Sequence, residues 1–191
     1  MHEIEPFFLW RDYYIASNDK KSPFYRRQYS EFEYTQKIYN YFIHPQWDFF
    51  GSSTLYCKVL FADYDSQFAI IELLGEWNDA LHNDIMELKR GLIDKMTAQG
   101  ISKFLLIGEN ILNFHASDDS YYEEWYEDIR DQNGWIVALN FREHVVKEMR
   151  SQQIHYYVMM GENQQLVEWR KLKPHHVFAA IENLLTKSIG Q

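Results

Sequence analysis

No proline interrupts the chain between Pro45 and Pro174, and across that stretch short apolar runs alternate with runs whose apolar residues recur every three or four positions. Proline removes a backbone donor and breaks both helix interiors and central strands, so a span without it can build long regular elements. The alternation of the two periods narrows the choice to strands that feed helices and return as strands. The expected fold is therefore α/β, with a mixed, mostly parallel central sheet and helices packed on it.

Ser53 to Tyr64 carries Leu55, Cys57, Val59 and Phe61 on one parity and Tyr56 and Leu60 on the other, which predicts a strand. Asp63-Tyr64-Asp65-Ser66 is a turn signal, and Phe68 to Leu74 predicts an antiparallel partner ending at Gly75. Leu81, Ile85, Leu88, Leu92 and Met96 form one helical stripe after an Asn78-Asp79 cap, stopped by Gly100. Lys103 to Gly108 predicts a short buried strand, so the helix lies in a βαβ crossover. A helix from about Ser120 to Arg130 turns Tyr122, Trp125, Tyr126 and Ile129 inward, and Ser120 with Glu123 has the form of a capping box. Trp135 to Leu139 is a strand, and Asn140 with Glu143 starts a helix that buries Phe141, Val145 and Met149. Strands over Ile154 to Met160 and Leu166 to Leu172, separated by a turn at Gly161, precede a last helix with Pro174 in its first position and the stripe Val177, Ile181, Leu184 and Leu185.

Residues 1–50 differ in kind. They hold 16 of the 33 aromatic residues and three of the four prolines. This divides the chain into an aromatic-rich extension, residues 1–52, packed on an α/β body, residues 53–191. Composition narrows the functional classes. A single cysteine, Cys57, excludes an internal disulfide framework and a cysteine-based zinc cluster, and it reads as inert core. The acidic start and the lack of any apolar run near the ~18–20 residues that span a bilayer predict a cytoplasmic protein without a membrane partner. A net charge of −9 disfavours nucleic acid, whose phosphates need a concentrated basic surface.

The strand-ending stretch Leu73-Leu74-Gly75-Glu76-Trp77-Asn78-Asp79, the run from Lys103 to Ser120 and the strand Trp135 to Asn140 resemble the corresponding signatures of the STAS domain, the anti-sigma-factor-antagonist family. The resemblance spans roughly Leu55 to Leu185. It implies a bacterial, non-enzymatic regulatory module without cofactor, whose partner is an anti-sigma kinase-like protein or another regulator. It also implies a phosphoacceptor serine at the start of the second helix, where Ser120 is the first match and Ser117 the second. Tyr121 and Tyr122 stand where that motif has serine and glycine. A homodimer stays open.

The residues support two readings of function. Residues 117–131 carry seven acids, Asp118, Asp119, Glu123, Glu124, Glu127, Asp128 and Asp131, against Arg130 alone. Such a run is either a solvated helix face or a surface for a basic partner. Docking through Asp118, Asp119, Glu123, Glu124 and Glu127 is the first reading. The second is a small-molecule-binding protein or enzyme, with the aromatic segment closing a pocket near Glu109, Asn110 and His115 at the sheet's C-terminal edge. No metal-binding spacing occurs among the histidines, and there is no nucleophile elbow or phosphate-cradling glycine loop. Lys20, Lys21, Arg26 and Arg27, interleaved with Phe24, Tyr25 and Tyr29, have the chemistry to clamp an anion, although the segment as a whole is balanced in charge.

Overall fold

In the computed structural model, which describes residues 3–161, 166 and 168–189, a small hairpin of β1 (Lys37–Ile38) and β2 (Tyr41–Phe42) precedes a five-stranded sheet. The sheet begins with the antiparallel pair β3 (Leu55–Asp63) and β4 (Phe68–Asn78). Their connection closes because Asp63 accepts hydrogen bonds from the backbone of Asp65 and Ser66 and from the Ser66 hydroxyl. After β4 come α1 (Asp79–His82), α2 (Asp84–Leu88), a π-turn over Lys89–Ile93 and α3 (Asp94–Thr97). The chain continues through β5 (Lys103–His115), α4 (Ser120–Arg130), β6 (Trp135–Leu139), α5 (Glu143–Ser151), β7 (Met159–Met160) and α6 (Pro174–Ile189).

Spatial order equals chain order, β3-β4-β5-β6-β7, and every pair after the first is parallel. Crossovers of one hand that all step in the same direction leave their helices on the same face. Ile85, Leu88, Leu92, Tyr122, Trp125, Val145 and Met149 accordingly share one core with Cys57, Ile71, Phe104, Leu106, Ile136 and Ala138. The opposite parity, Ile70, Leu105, Ile107, Val137 and Leu139, packs with Val177, Ile181 and Leu185 of α6 and with Trp10. A third, smaller core joins Ile38, Ile43 and Trp47 to Tyr56 and Leu74. The fold is mixed α/β, as expected, with a mostly parallel sheet covered on both faces. Among the described residues, no helix is long and apolar enough to cross a membrane.

Several elements depart from expectation. Leu81 is not part of the helical stripe: Asn83 adopts a left-handed φ of 51°, ending α1 after one turn, and Leu81 is 79 % exposed. Gly75 does not end β4. The strand runs on to Asn78 through a bulge, and Gly75 sits at φ +124° with the Thr54 carbonyl where a side chain would be. β5 extends to His115 instead of stopping at Gly108. A bulge between Val59 and Phe61 shifts the parity of β3, so Phe61 meets the α6 core and Ala62 the other. Residues Ile154–Tyr156 form a 3-10 turn, leaving only Met159–Met160 as strand, and Trp169–Lys171 is a 3-10 turn as well. The expected turn after Gly161 falls on residues 162–165, outside the described ones.

Gly75→Ala combines a disfavoured φ with a Cβ only 2.1 Å from the Thr54 carbonyl oxygen. The expected loss is about 2–4 kcal/mol of unfolding free energy, measured by urea denaturation. A loss below about 0.5 kcal/mol would contradict this account of the bulge.

Candidate functional site

The start of α4 is positioned from its buried side. The Tyr122 hydroxyl donates to Asp79 at 2.6 Å, and Trp125 meets Phe104 edge-on at a centroid distance of 5.2 Å. Asp79 also accepts from Trp77 Nε1 and from the Ile85 N–H, which ties the ends of β4, α2 and α4 to one carboxylate. Burial pushes the Asp79 carboxyl up to about 6 against the hydrogen bonds from Tyr122, Ile85 and Trp77.

The capping box does not form. Asp119 is the N-cap residue, and its side chain makes no cap hydrogen bond; its backbone carbonyl takes the N–H groups of Tyr122 and Glu123. Asp118 accepts from the Ser120 N–H at 3.0 Å and also from the Ser120 hydroxyl. Ser120 is thus a donor to Asp118 on an exposed first turn, rather than a cap. These two hydrogen bonds hold the Asp118 carboxyl below its ordinary range.

The seven acids divide by their partners. Lys89, whose side chain is 1 % exposed, donates to Asp94 and Asp128 at 2.6 Å each and lies 3.2 Å from Glu124. Arg90 grips Glu124 through both terminal nitrogens, at 2.6 and 2.8 Å, and reaches Asp94 at 2.8 Å. Glu124 and Asp128 therefore bind the π-turn to α4. Glu127 and Asp131 pair with Arg130 at the helix end. Among the described residues no cation reaches Asp118, Asp119 or Glu123. Asp119 and Glu123 instead face the Tyr157 phenol, whose pKa rises through desolvation and through these two carboxylates. Ser117, like Asp118, is exposed in the loop before the helix.

The second group of expected residues does not converge. Glu109, Asn110 and His115 all lie on β5, which at about 3.3 Å per residue sets the first and last roughly 20 Å apart. Glu109 belongs to a different cluster. Its Oε1 accepts from Trp169 Nε1 at 2.7 Å and from Asn140 at 2.8 Å, while its Oε2 meets Arg170 at 2.6 Å. Asn140, at φ 56° directly after β6, also holds both backbone groups of Leu166. Beside them on β4, Glu72 is buried, accepts the Phe7 N–H at 2.8 Å and lies 3.6 Å from Arg170. Phe7, Trp10 and Trp169 close over this cluster with ring centroids 4.9–5.4 Å apart. Burial raises the Glu72 carboxyl to about 7, opposed by the Phe7 N–H and Arg170 and reinforced by Glu109. The oxygens of both carboxylates are engaged by the chain itself.

Glu72, Lys89 and Arg170 do not stand out as site residues in the sequence. An acid inside the apolar run FAIIELL was the available signal for Glu72. Among the described residues, no group of three or more His, Cys, Asp or Glu side chains is placed to hold a metal ion. Cys57 is fully buried in the core, and desolvation pushes its thiol well up.

No protein-family model matches the chain, and no curated protein matches it. Among solved structures, the anti-sigma factor antagonist SpoIIAA in its unphosphorylated form is similar, with a TM-score of 0.44 and 15 % sequence identity over 56 % of this chain and 89 % of that one.

These environments set two expected outcomes. Ser120→Ala removes one exposed hydroxyl donor and no cap, so its effect on stability stays within about 0.5 kcal/mol, where loss of a true cap costs about 1. Glu72 binds its proton more tightly in the folded chain, at about 7 against 4.5, so stability is highest near and below the lower value and declines as pH rises through the upper one. Asp79 adds a decline of the same sign at lower pH. Glu72→Gln should remove on the order of 2 kcal/mol of the loss between about pH 5 and pH 8, read from urea midpoints at the two values. Parallel pH profiles for the two proteins would contradict this assignment.

Proposed function

We propose that the chain is a non-enzymatic interaction module that docks a basic protein partner on the start of α4, through Asp118, Asp119 and Glu123. The observation that supports this most is the division of the acids. Lys89, Arg90 and Arg130 engage Glu124, Asp128, Glu127 and Asp131, while the first turn and the loop before it keep theirs unmatched by any described cation. A cluster of carboxylates next to a helix N-terminus is stabilised by the exposed N–H groups. It therefore persists as a fixed negative surface that needs no modification. An added phosphate on Ser120 or Ser117 would meet Asp118 and Asp119 at close range, so Ser120 acts in this reading as the group that fixes Asp118, rather than as a phosphoacceptor. The STAS resemblance read from the sequence points to the same helix start. Glu127 borders the surface, and Tyr157 and Tyr126, whose ring centroids are 6.2 Å apart, supply an aromatic flank. In this reading residues 53–191 are the docking body in the cytoplasm of a bacterium, and residues 1–52 are an extension clamped to it.

The test is capture from native extract by the immobilised full chain, compared with the Asp118→Asn/Asp119→Asn/Glu123→Gln variant. The protein captured by the parent should be lost from that variant, and its binding should fall steeply with salt, since exposed charges are screened within about 8 Å at physiological ionic strength. The variant should stay within about 1 kcal/mol of the parent in stability, the cost of losing the Asp118 contact to the first turn. Equal capture by the variant across a salt series would refute the docking surface.

A further inference from the structure

The N-terminal segment and the π-turn border a shallow, open cleft of about 480 Å³, within the size range of small-molecule sites. Its walls are aromatic and basic in a chain of net charge −9. Phe24 and Phe50 are buried at its base, Tyr25 is half-buried, and Phe49 is 39 % exposed. Arg27 is part of the frame: it donates to Asp48 at 2.9 Å and to the Phe49 carbonyl at 3.1 Å, with its guanidinium over Phe24. Arg26 and Lys95, on the two walls, have no carboxylate within ion-pair distance among the described residues. Of the acids around the cleft, Asp48 is engaged by Arg27, Tyr29 and Lys58, Asp94 by Lys89 and Arg90, and the Glu87 carboxylate lies against Gly51.

Two features show how closely this cleft is specified. Arg26 has φ 61°, a left-handed conformation that glycine or asparagine adopts at lower cost, and its N–H is fixed by the Ser17 carbonyl at 2.8 Å. The Arg26 guanidinium lies 5.1 Å from the centroid of the Tyr25 ring. On the other wall, the π-turn brings Gly91 so close to the Phe50 carbonyl that a Cβ there would stand 2.5 Å from the oxygen. The extra residue in a helical turn of this kind rotates the next turn about the axis, and that turn carries Lys95.

We infer that this cleft binds a mononucleotide, with Arg26 and Lys95 holding the phosphates and Tyr25 and Phe49 stacking on the base. A guanidinium and an ammonium without protein counter-charges match phosphate oxygens, and partly exposed rings offer a planar surface that any base can use. The site is separate from the acidic surface on α4, and either stands if the other fails.

Calorimetric titration of the full chain with ADP, adenosine and orthophosphate tests this, alongside the variants Arg26→Gly and Lys95→Ala. Glycine suits the left-handed φ, so Arg26→Gly removes the charge without straining the turn. ADP should bind at one site, more tightly than adenosine or orthophosphate, and each variant should weaken it about tenfold with the melting temperature unchanged within a few degrees. No ADP binding at millimolar concentration, equal affinity for ADP and adenosine, or unchanged affinity in both variants would each overturn the assignment.

Discussion

Lys89 holds the π-turn, α3 and α4 together. Burial by itself disfavours the ammonium, yet its hydrogen bonds to Asp128, Asp94 and Glu124 more than offset this and raise its pKa above the ordinary lysine value. Three carboxylates on two elements thus converge on one cation, which fixes the π-turn against α4. Taking one partner from such a group leaves the others uncompensated, so the cluster specifies an arrangement more than it adds net stability. The arrangement has two consequences. It consumes Glu124 and Asp128, which leaves the acid surface concentrated at the first turn of α4. It also sets the register of the π-turn, and with it the approach of Gly91 to Phe50 and the position of Lys95.

Buried and half-buried acids also organise the first fifty residues. Asp48 gathers Arg27, Tyr29 and Lys58, with the ammonium of Lys58 3.6 Å from the centre of the Tyr29 ring. Asp19 accepts from Tyr14 and from Tyr64 in the turn between β3 and β4, and Glu72 accepts the Phe7 N–H from within the sheet. Aromatic residues alone would let this segment slide over an apolar face, because the hydrophobic effect is not directional. Directional bonds to carboxylates at three separate places give it one position. The rings between them then divide: Trp10, Phe24, Trp47 and Phe50 are buried, while Phe32, Tyr39, Tyr41 and Phe42 remain exposed around the β1–β2 hairpin.

Much of the body was legible because its faces are strictly sorted. Strand β6 alternates between the two cores residue by residue, and Val177, Ile181 and Leu185 recur as a helix facing the sheet should. The misreadings share a cause: a local signal lost to a tertiary partner. Gly75 reads as a stop, yet its positive φ lets the strand pass the Thr54 carbonyl, and the next N–H, that of Glu76, bonds to it at 2.9 Å. Glu109, Asn110 and Asn113 give β5 a polar second half that looks like a loop, but β4 is long enough to pair with it as far as His115. Ile154 to Met160 has the composition of a strand, and β6 offers β7 only Val137 and Ala138 as partners, so the rest of the run turns as a 3-10 segment. The Asn78-to-Met96 stripe fails at Leu81 because the chain restarts at α2: Asp79 folds back to take the Ile85 N–H at that second helical start, and Asp84 reaches back to the Asn78 N–H at the end of β4.

The charge of the chain is likewise a poor guide to its surface until the interior acids are set aside. Asp48, Glu72, Asp79 and Asp84 are all buried, and two of them, Glu72 and Asp79, have carboxyls raised toward neutrality. Their charge acts on neighbouring donors and not on approaching molecules. The acid excess met by a partner is correspondingly smaller than the sequence suggests, and it is local. The same reasoning applies to the cations. Arg27 and Lys58 are committed to the buried carboxylate of Asp48, and Lys89 to Asp94, Glu124 and Asp128, so the basic chemistry left to solvent near the N-terminal segment is that of residues such as Arg26 and Lys95. A chain can therefore be acidic in total and still present a cleft suited to an anion, because a ligand meets only the charges the fold has left unpaired.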